Sequence, residues 1–283
     1  MPRAEQITPS VTYHGEGAVW HEGLGGLRWV DMLEGDVLAL DEASGSVSRL
    51  HVDSPVAAVV RPRTAGGFVV ALEKAIAAYD AHGAREWVTP QLWDEAIRFN
   101  EGGVDPRGRL LVGQMAYDAA EGVSSMFRLN PDRSVEKLFG GLTVSNGLGF
   151  TADGALAYYA DSHTGRIDVF DVSDDGELRD RRPFATIPEG AGSPDGLAVD
   201  AEGGVWSALY NGHAVHRYDA SGRLSEVVEI GAARVTSCAL TPGGTLYVTT
   251  SREGLEPHEE LPAGALFRAE VGVAGVPIRT VDV

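Results

Sequence analysis

The sequence predicts an all-β fold, a six-bladed β-propeller spanning residues 1–283 as one domain with its active site in the central channel. Three observations carry that expectation. Short runs rich in Val, Leu, Trp, Tyr and Phe recur, as in Leu27-Arg28-Trp29-Val30-Asp31 and Gly67-Phe68-Val69-Val70-Ala71-Leu72, which is strand composition. The segments between them are turn-forming, and 36 glycines are spread along the chain rather than clustered. The run-and-turn pattern also returns at intervals of about 40 to 50 residues, the period of propeller blades.

Taken in order, weaker copies of the unit start near Gly17 and Ala57. The third, residues 103–113, turns at Asp105-Pro106-Arg107-Gly108 and is followed by the run 125–129. The fourth, residues 147–161, turns at Ala152-Asp153-Gly154 and is followed by 167–170. The fifth, residues 196–206, turns at Ala201-Glu202-Gly203-Gly204 and is followed by 214–218, and a sixth copy starts near Ser237 and turns at Thr241-Pro242-Gly243-Gly244. A four-stranded sheet cannot hide both faces alone, and stacking blades around an axis covers them. A two-sheet sandwich is the alternative, but it gives no reason for the period. Helical periodicity is weak, and its best segment, residues 91–97, is short.

Composition excludes several functions. With 23 basic and 41 acidic residues the formal net charge is −18, which repels phosphates and argues against nucleic acid or an anionic membrane as a partner. Cys238 is the only cysteine, so neither an intrachain disulfide nor a thiolate metal cluster can form. The first ten residues contain no apolar signal-like core, and no apolar stretch approaches the ~18 residues of a membrane span. A soluble, cytoplasmic monomer is expected. There is no Gly-x-Ser-x-Gly elbow and no His-Glu-x-x-His pair, since the string His258-Glu259-Glu260-Leu261 lacks a second histidine. The stretch Asp171-Val172-Ser173-Asp174-Asp175-Gly176 begins like a calcium loop but has Arg182 where the bidentate Glu is needed, so it reads as an inter-blade turn. His14 and His163 read as surface or packing residues, and Trp20, Trp29 and Trp206 as blade core.

In a propeller, residues at matching places of different inner strands converge on the channel. Here those places hold Glu16, Asn100, Asn146 and Asp195, each followed directly or one residue later by glycine. Two carboxylates and two amides form an oxygen set suited to a hard divalent cation. Asn-Gly and Asp-Gly pairs also serve as hairpin turns, which is the competing explanation for each pair alone.

The chain resembles the SMP-30/gluconolactonase/regucalcin family of six-bladed, metal-dependent lactonases. The matching motifs include Gly15-Glu16-Gly17-Ala18-Val19-Trp20, Arg98-Phe99-Asn100-Glu101-Gly102-Gly103-Val104-Asp105-Pro106, Ser145-Asn146-Gly147-Leu148, Pro194-Asp195-Gly196 and Tyr210-Asn211-Gly212. The resemblance implies hydrolysis of a sugar lactone to its aldonic acid, with Glu16, Asn146 and Asp195 as metal ligands and Asp195 also as the base. It implies Arg98 and Asn100 as substrate contacts, although Arg98 next to Asp94 and Glu95 also fits a rim ion pair. Gln114 departs from the family's Gly-Thr-Met, and the family's acidic substrate contact falls on Asp118. The implied cofactor is one divalent metal ion, calcium first, with zinc, magnesium, manganese and iron as alternatives. Two other activities compete on the same scaffold: a metal-dependent arylesterase or organophosphate hydrolase, and a non-enzymatic calcium-binding regulator. A polar pocket holding Arg98, Asn100 and Asp118 favours a hydroxylated substrate.

Overall fold

A computed structural model describes residues 2–256 and 259–283. Six antiparallel four-stranded sheets are present, and they account for the six repeats. From the axis outward, blade one contains Gly15–His21, Gly26–Asp31, Asp36–Leu40 and Val47–His51. Blade two contains Ala57–Pro62, Phe68–Leu72, Ile76–Tyr79 and Arg85–Val88, and blade three Ile97–Val104, Leu110–Ala116, Ser124–Leu129 and Val135–Leu142. Blade four contains Ser145–Phe150, Leu156–Asp161, Arg166–Val172 and Leu178–Thr186, and blade five Ser193–Val199, Val205–Tyr210, Ala214–Tyr218 and Leu224–Glu229. Blade six is built from Val235–Leu240, Thr245–Thr250 and Phe267–Glu270 and takes Glu5–Gln6 as its outermost strand, which closes the ring. Each inner strand touches the inner strands of both neighbouring blades, all the way round.

The hydrophobic core lies between blades, where apolar faces of successive sheets meet. Trp29 and Trp206 are fully buried there, and Trp20 is half-buried against the same layer as Trp29. Buried aspartates hold the turns of blades three and five. Asp105 accepts from the backbone N–H of Arg107 (2.8 Å) and Arg109 (2.9 Å) and from Arg109 Nε (2.6 Å), and Asp200 repeats the arrangement in blade five. The segment beyond blade six crosses the end of the ring away from the ligand cavity described below. Gly275 N donates to Thr241 O, Val276 N to Val199 O, Arg279 Nη2 to Ala152 O, Val281 N to Pro62 O and Asp282 N to Gly108 O, so five blades are tied by one strap.

Residues 91–96, the segment of weak helical periodicity, form an irregular loop that Trp93 anchors on Phe99 and Phe127 (ring centroids 4.8 and 5.4 Å). One sequence expectation needs correction. The calcium-loop mimic lies within blade four, joining its third and fourth strands, and is no inter-blade turn. Among the described residues the only helices are three-residue 3-10 turns, and no helix is long and apolar enough to cross a membrane. His258 and part of the loop that follows Arg252 lie outside the described residues.

Candidate active site

The inner strands share a local defect that builds the site. In every blade the pairing of the first strand with the second slips at the same place: between Glu16 and Val19, Ala57 and Val59, Phe99 and Gly102, Ser145 and Leu148, Pro194 and Leu197, and Val235 and Ser237. A bulge leaves a residue unpaired and bends the strand, and this re-aims side chains. The slip therefore turns Glu16, Asn146 and Asp195 toward the axis. The glycines that follow Asn146 and Asp195 are not hairpin turns. A Cβ on Gly147 would stand 2.6 Å from Asp195 O, and one on Gly196 would stand 2.5 Å from Ser237 Oγ, so these glycines let adjacent inner strands approach. Of the glycines that follow the four channel residues, only Gly17 has a positive φ, 57°.

A cavity of about 400 Å³ opens at this end of the channel and is lined by Glu16, Arg98, Asn100, Asn146 and Asp195, together with His14 and Glu253. Five of the six residues singled out in the sequence thus meet in one place. Asp118 does not. It is exposed on the loop after blade three's second strand, its carboxylate accepts the Ala120 N–H, and its neighbour Tyr117 lines the cavity instead. The strand ends at Ala116, and Tyr117 and Asp118 lie in the turn beyond it.

The buried oxygens fit a cation. Among the described residues, Asn146 Oδ1 and Asp195 Oδ1 are buried without a hydrogen-bond partner. Asn146 spends its amide N–H on Ser162 Oγ (2.9 Å), and Ser162 Oγ donates to Pro194 O (2.7 Å), which fixes the oxygen on the free side. Glu16 Oε2 accepts its neighbour's Gly17 N–H (3.0 Å). Burial, then the charge of Asp195, pushes the Glu16 carboxyl well above the usual carboxylate range, and burial, then the charge of Glu101, does the same to Asp195. Orphaned acceptors and mutually repelling carboxylates are a costly arrangement that a bound cation relieves.

Arg98 and Asn100 act together. Arg98 is buried, donates from Nη1 to Asn100 Oδ1 (2.6 Å) and Phe99 O (3.1 Å), and pairs with neither Asp94 nor Glu95. Asn100 uses its other end on Ser145 O (2.9 Å), so its amide is committed to holding the guanidinium.

Sequence reading gave His14 as a surface or packing residue and assigned no role to Arg61 and Glu101. His14 is buried in the cavity wall, with Nδ1 2.8 Å from Ser251 Oγ and Nε2 3.7 Å from Glu16 Oε1. Burial first, then Arg98 and Arg234, lowers its pKa to about 3, so it is neutral at ordinary pH. His163, in contrast, stays exposed, 3.8 Å from Glu121. Glu101 and Arg61 form a buried pair (2.7 Å) below the carboxylates. Nothing in a single sequence links positions 61 and 101, and a lone histidine carries no signal. On the far side of the pair a small cavity is lined by the second halves of the same strands and capped by residues 276–279.

Residues 14–252, which include all six inner strands, match the family model described as "SMP-30/Gluconolactonase/LRE-like region". The chain belongs to the SMP-30/gluconolactonase/LRE-like family. Among curated members of this family, regucalcin from Bos taurus is 34% identical over 280 residues, 93% of each chain. Among solved structures, a luciferin-regenerating enzyme superposes with a TM-score of 0.89 at 27% identity over 100% of both chains. A calcium-binding protein, regucalcin, from Agrobacterium tumefaciens superposes with a TM-score of 0.85 at 24% identity, covering 99% of this chain and 96% of that one.

Proposed function

We propose that the protein is a divalent-metal-dependent lactonase that hydrolyses the ring ester of a sugar-derived lactone to the open hydroxy acid. The observation that carries this reading is the pair of unpartnered buried oxygens, Asn146 Oδ1 and Asp195 Oδ1, beside Glu16 in an open cavity that also holds a buried arginine. Glu16, Asn146 and Asp195 would hold the ion, with calcium the first candidate. When bound, a divalent cation supplies Lewis-acid polarisation of the ester carbonyl.

The chain's own residues supply the rest. Asp195 accepts a proton from the water whose oxygen bonds to the carbonyl carbon. The ring C–O bond then breaks, and that proton passes to the departing alkoxide oxygen, giving one carboxyl and one hydroxyl. Arg98, clamped by Asn100, donates to the lactone's oxygens and fixes the ring. A purely regulatory calcium site requires neither a clamped guanidinium nor an open cavity beside the ligands, which favours the enzyme over the regulator.

The test is acid release from a panel of lactones by chelator-stripped protein to which single cations are restored. Cation-restored turnover is expected, with Asp195→Asn lowering kcat by ~100-fold or more. Turnover in the variant close to that of the unmodified protein contradicts the assignment.

A further inference from the structure

With Asp118 outside, the cavity has two unlike sides. One arc is polar, with Ser193, Tyr210 and Glu253 from blades five and six. The other is formed by Leu33, Met115, Tyr117 and Val144. Leu33 rides on the 3-10 turn Met32–Glu34 of blade one. Met115 lies opposite Arg98 in the blade-three pairing and bridges Val144 through the backbone, so Met115 stands between the arginine and Val144. Tyr117 completes the arc. Its ring lies 5.9 Å from the Arg98 guanidinium, its hydroxyl donates to Glu73 Oε1 (2.7 Å), and its N–H donates to Ala96 O (3.3 Å), which ties it to blade two and fixes it in place. It remains 50% exposed at the rim. Single exposed apolar residues need no explanation, but four that line one cavity form a binding surface.

A lactone hydroxylated on every carbon finds partners at Arg98 and on the polar arc only. Its remaining hydroxyls lie against Leu33, Met115 and Val144, where they lose water and gain nothing. An alkyl or aryl group placed there instead removes apolar surface from water on both partners.

We propose that the physiological substrate is an amphipathic lactone, with hydroxyl groups on one edge of the ring and an alkyl or aryl substituent on the other, seated on the Leu33–Met115–Tyr117–Val144 wall. This rests on the lactonase reading for the reaction and on the wall alone for the substituent. The wall sets which lactone is preferred, and the oxygen cluster acts on the ester common to all of them.

The experiment compares kcat/KM for glucono-1,5-lactone, its 6-deoxy analogue and 2,3,4-trihydroxy-δ-decanolactone, which carries a pentyl chain in place of the hydroxymethyl group, with the same restored cation, for the unmodified protein and for the Met115→Gln/Tyr117→Asn double variant. The expected order rises from gluconolactone through the deoxy compound to the alkyl lactone, by ~10-fold or more overall, the discrimination that added apolar groups give in an apolar pocket. The double variant is expected to cut that ratio at least tenfold. Equal or better use of gluconolactone by the unmodified protein overturns the proposal, and so does an unchanged ratio in the variant. Calorimetric titration with δ-decanolactam, which has an amide in place of the ester, reads the wall without turnover. Absence of turnover on every lactone with every cation refutes the lactonase reading. Binding of the lactam that the double variant weakens then still upholds the apolar wall, and no lactam binding overturns it.

Discussion

At the scale of single residues, the chemistry rests on carboxylates that the fold holds in an unfavourable state. Glu16 and Asp195 are buried, and with no cation present both have pKa values raised above those of an unfolded chain. The unfolded state therefore gives up its protons first, near pH 4, and the cation-free fold loses stability as pH rises from there through the raised values. A bound cation cancels that penalty, so the thermal stabilisation it gives is largest near neutral pH and shrinks as pH falls toward 4. With calcium at 100 times its Kd the linkage is ~2.7 kcal/mol, or roughly 5 °C in Tm for a chain of this size. Differential scanning calorimetry at pH 5 and pH 7.5 checks this, and a calcium effect equal at both values contradicts it. The site was largely legible here: Glu16, Arg98, Asn100, Asn146 and Asp195 all line one cavity. Asp118 lies outside the lining because it stands two residues past the end of its strand, in a turn, where no side-chain period tells which residue faces inward.

At the scale of elements, the repeat was readable because each inner strand carries a bulge, and those of blades three and five end in an aspartate-held turn. The expected unit starts at Gly17, Ala57, Gly103, Gly147, Gly196 and Ser237 all fall within the six inner strands. The weak helical spacing of residues 91–97 serves aromatic packing of a loop, which has no period of its own. The aspartate turns give a sharp prediction. Asp200 is fully buried and accepts from the N–H groups of Glu202 and Gly204, from Trp206 Nε1 and from Arg217 Nε. Asp200→Ala strands those donors and leaves the mostly buried Arg217 without its main partner, at a cost of about 3 kcal/mol. Urea unfolding of the variant is expected to show the midpoint falling by about 1 M or more, given a slope of ~3 kcal/mol per M. An unchanged midpoint means the turn is held by its backbone alone.

At the scale of the whole molecule, two closures hold the ring. Glu5–Gln6 completes blade six, and the strap from residue 275 onward hydrogen-bonds to blades six, five, four, three and two across the end opposite the site. Neither closure was visible in the sequence, because strap residues carry no repeat and their partners are scattered along the chain. Val281 is completely buried in that strap. Removing residues 277–283 exposes the surface it covers, worth ~2 kcal/mol for the valine alone, and is expected to lower Tm by roughly 5 °C. Lactone turnover per folded molecule should persist, since the oxygen cluster lies at the other end. A truncated protein that melts with the full chain contradicts the strap's role.

The central claim is that Glu16, Asn146 and Asp195 together hold one divalent cation at the mouth of the channel. It is tested most directly by crystals grown with manganese and measured for anomalous scattering. The account predicts a single strong peak within ligand distance, roughly 2.0–2.6 Å, of oxygens from all three residues. A peak elsewhere in the molecule, or no peak at these oxygens in protein that turns over its substrate, contradicts it.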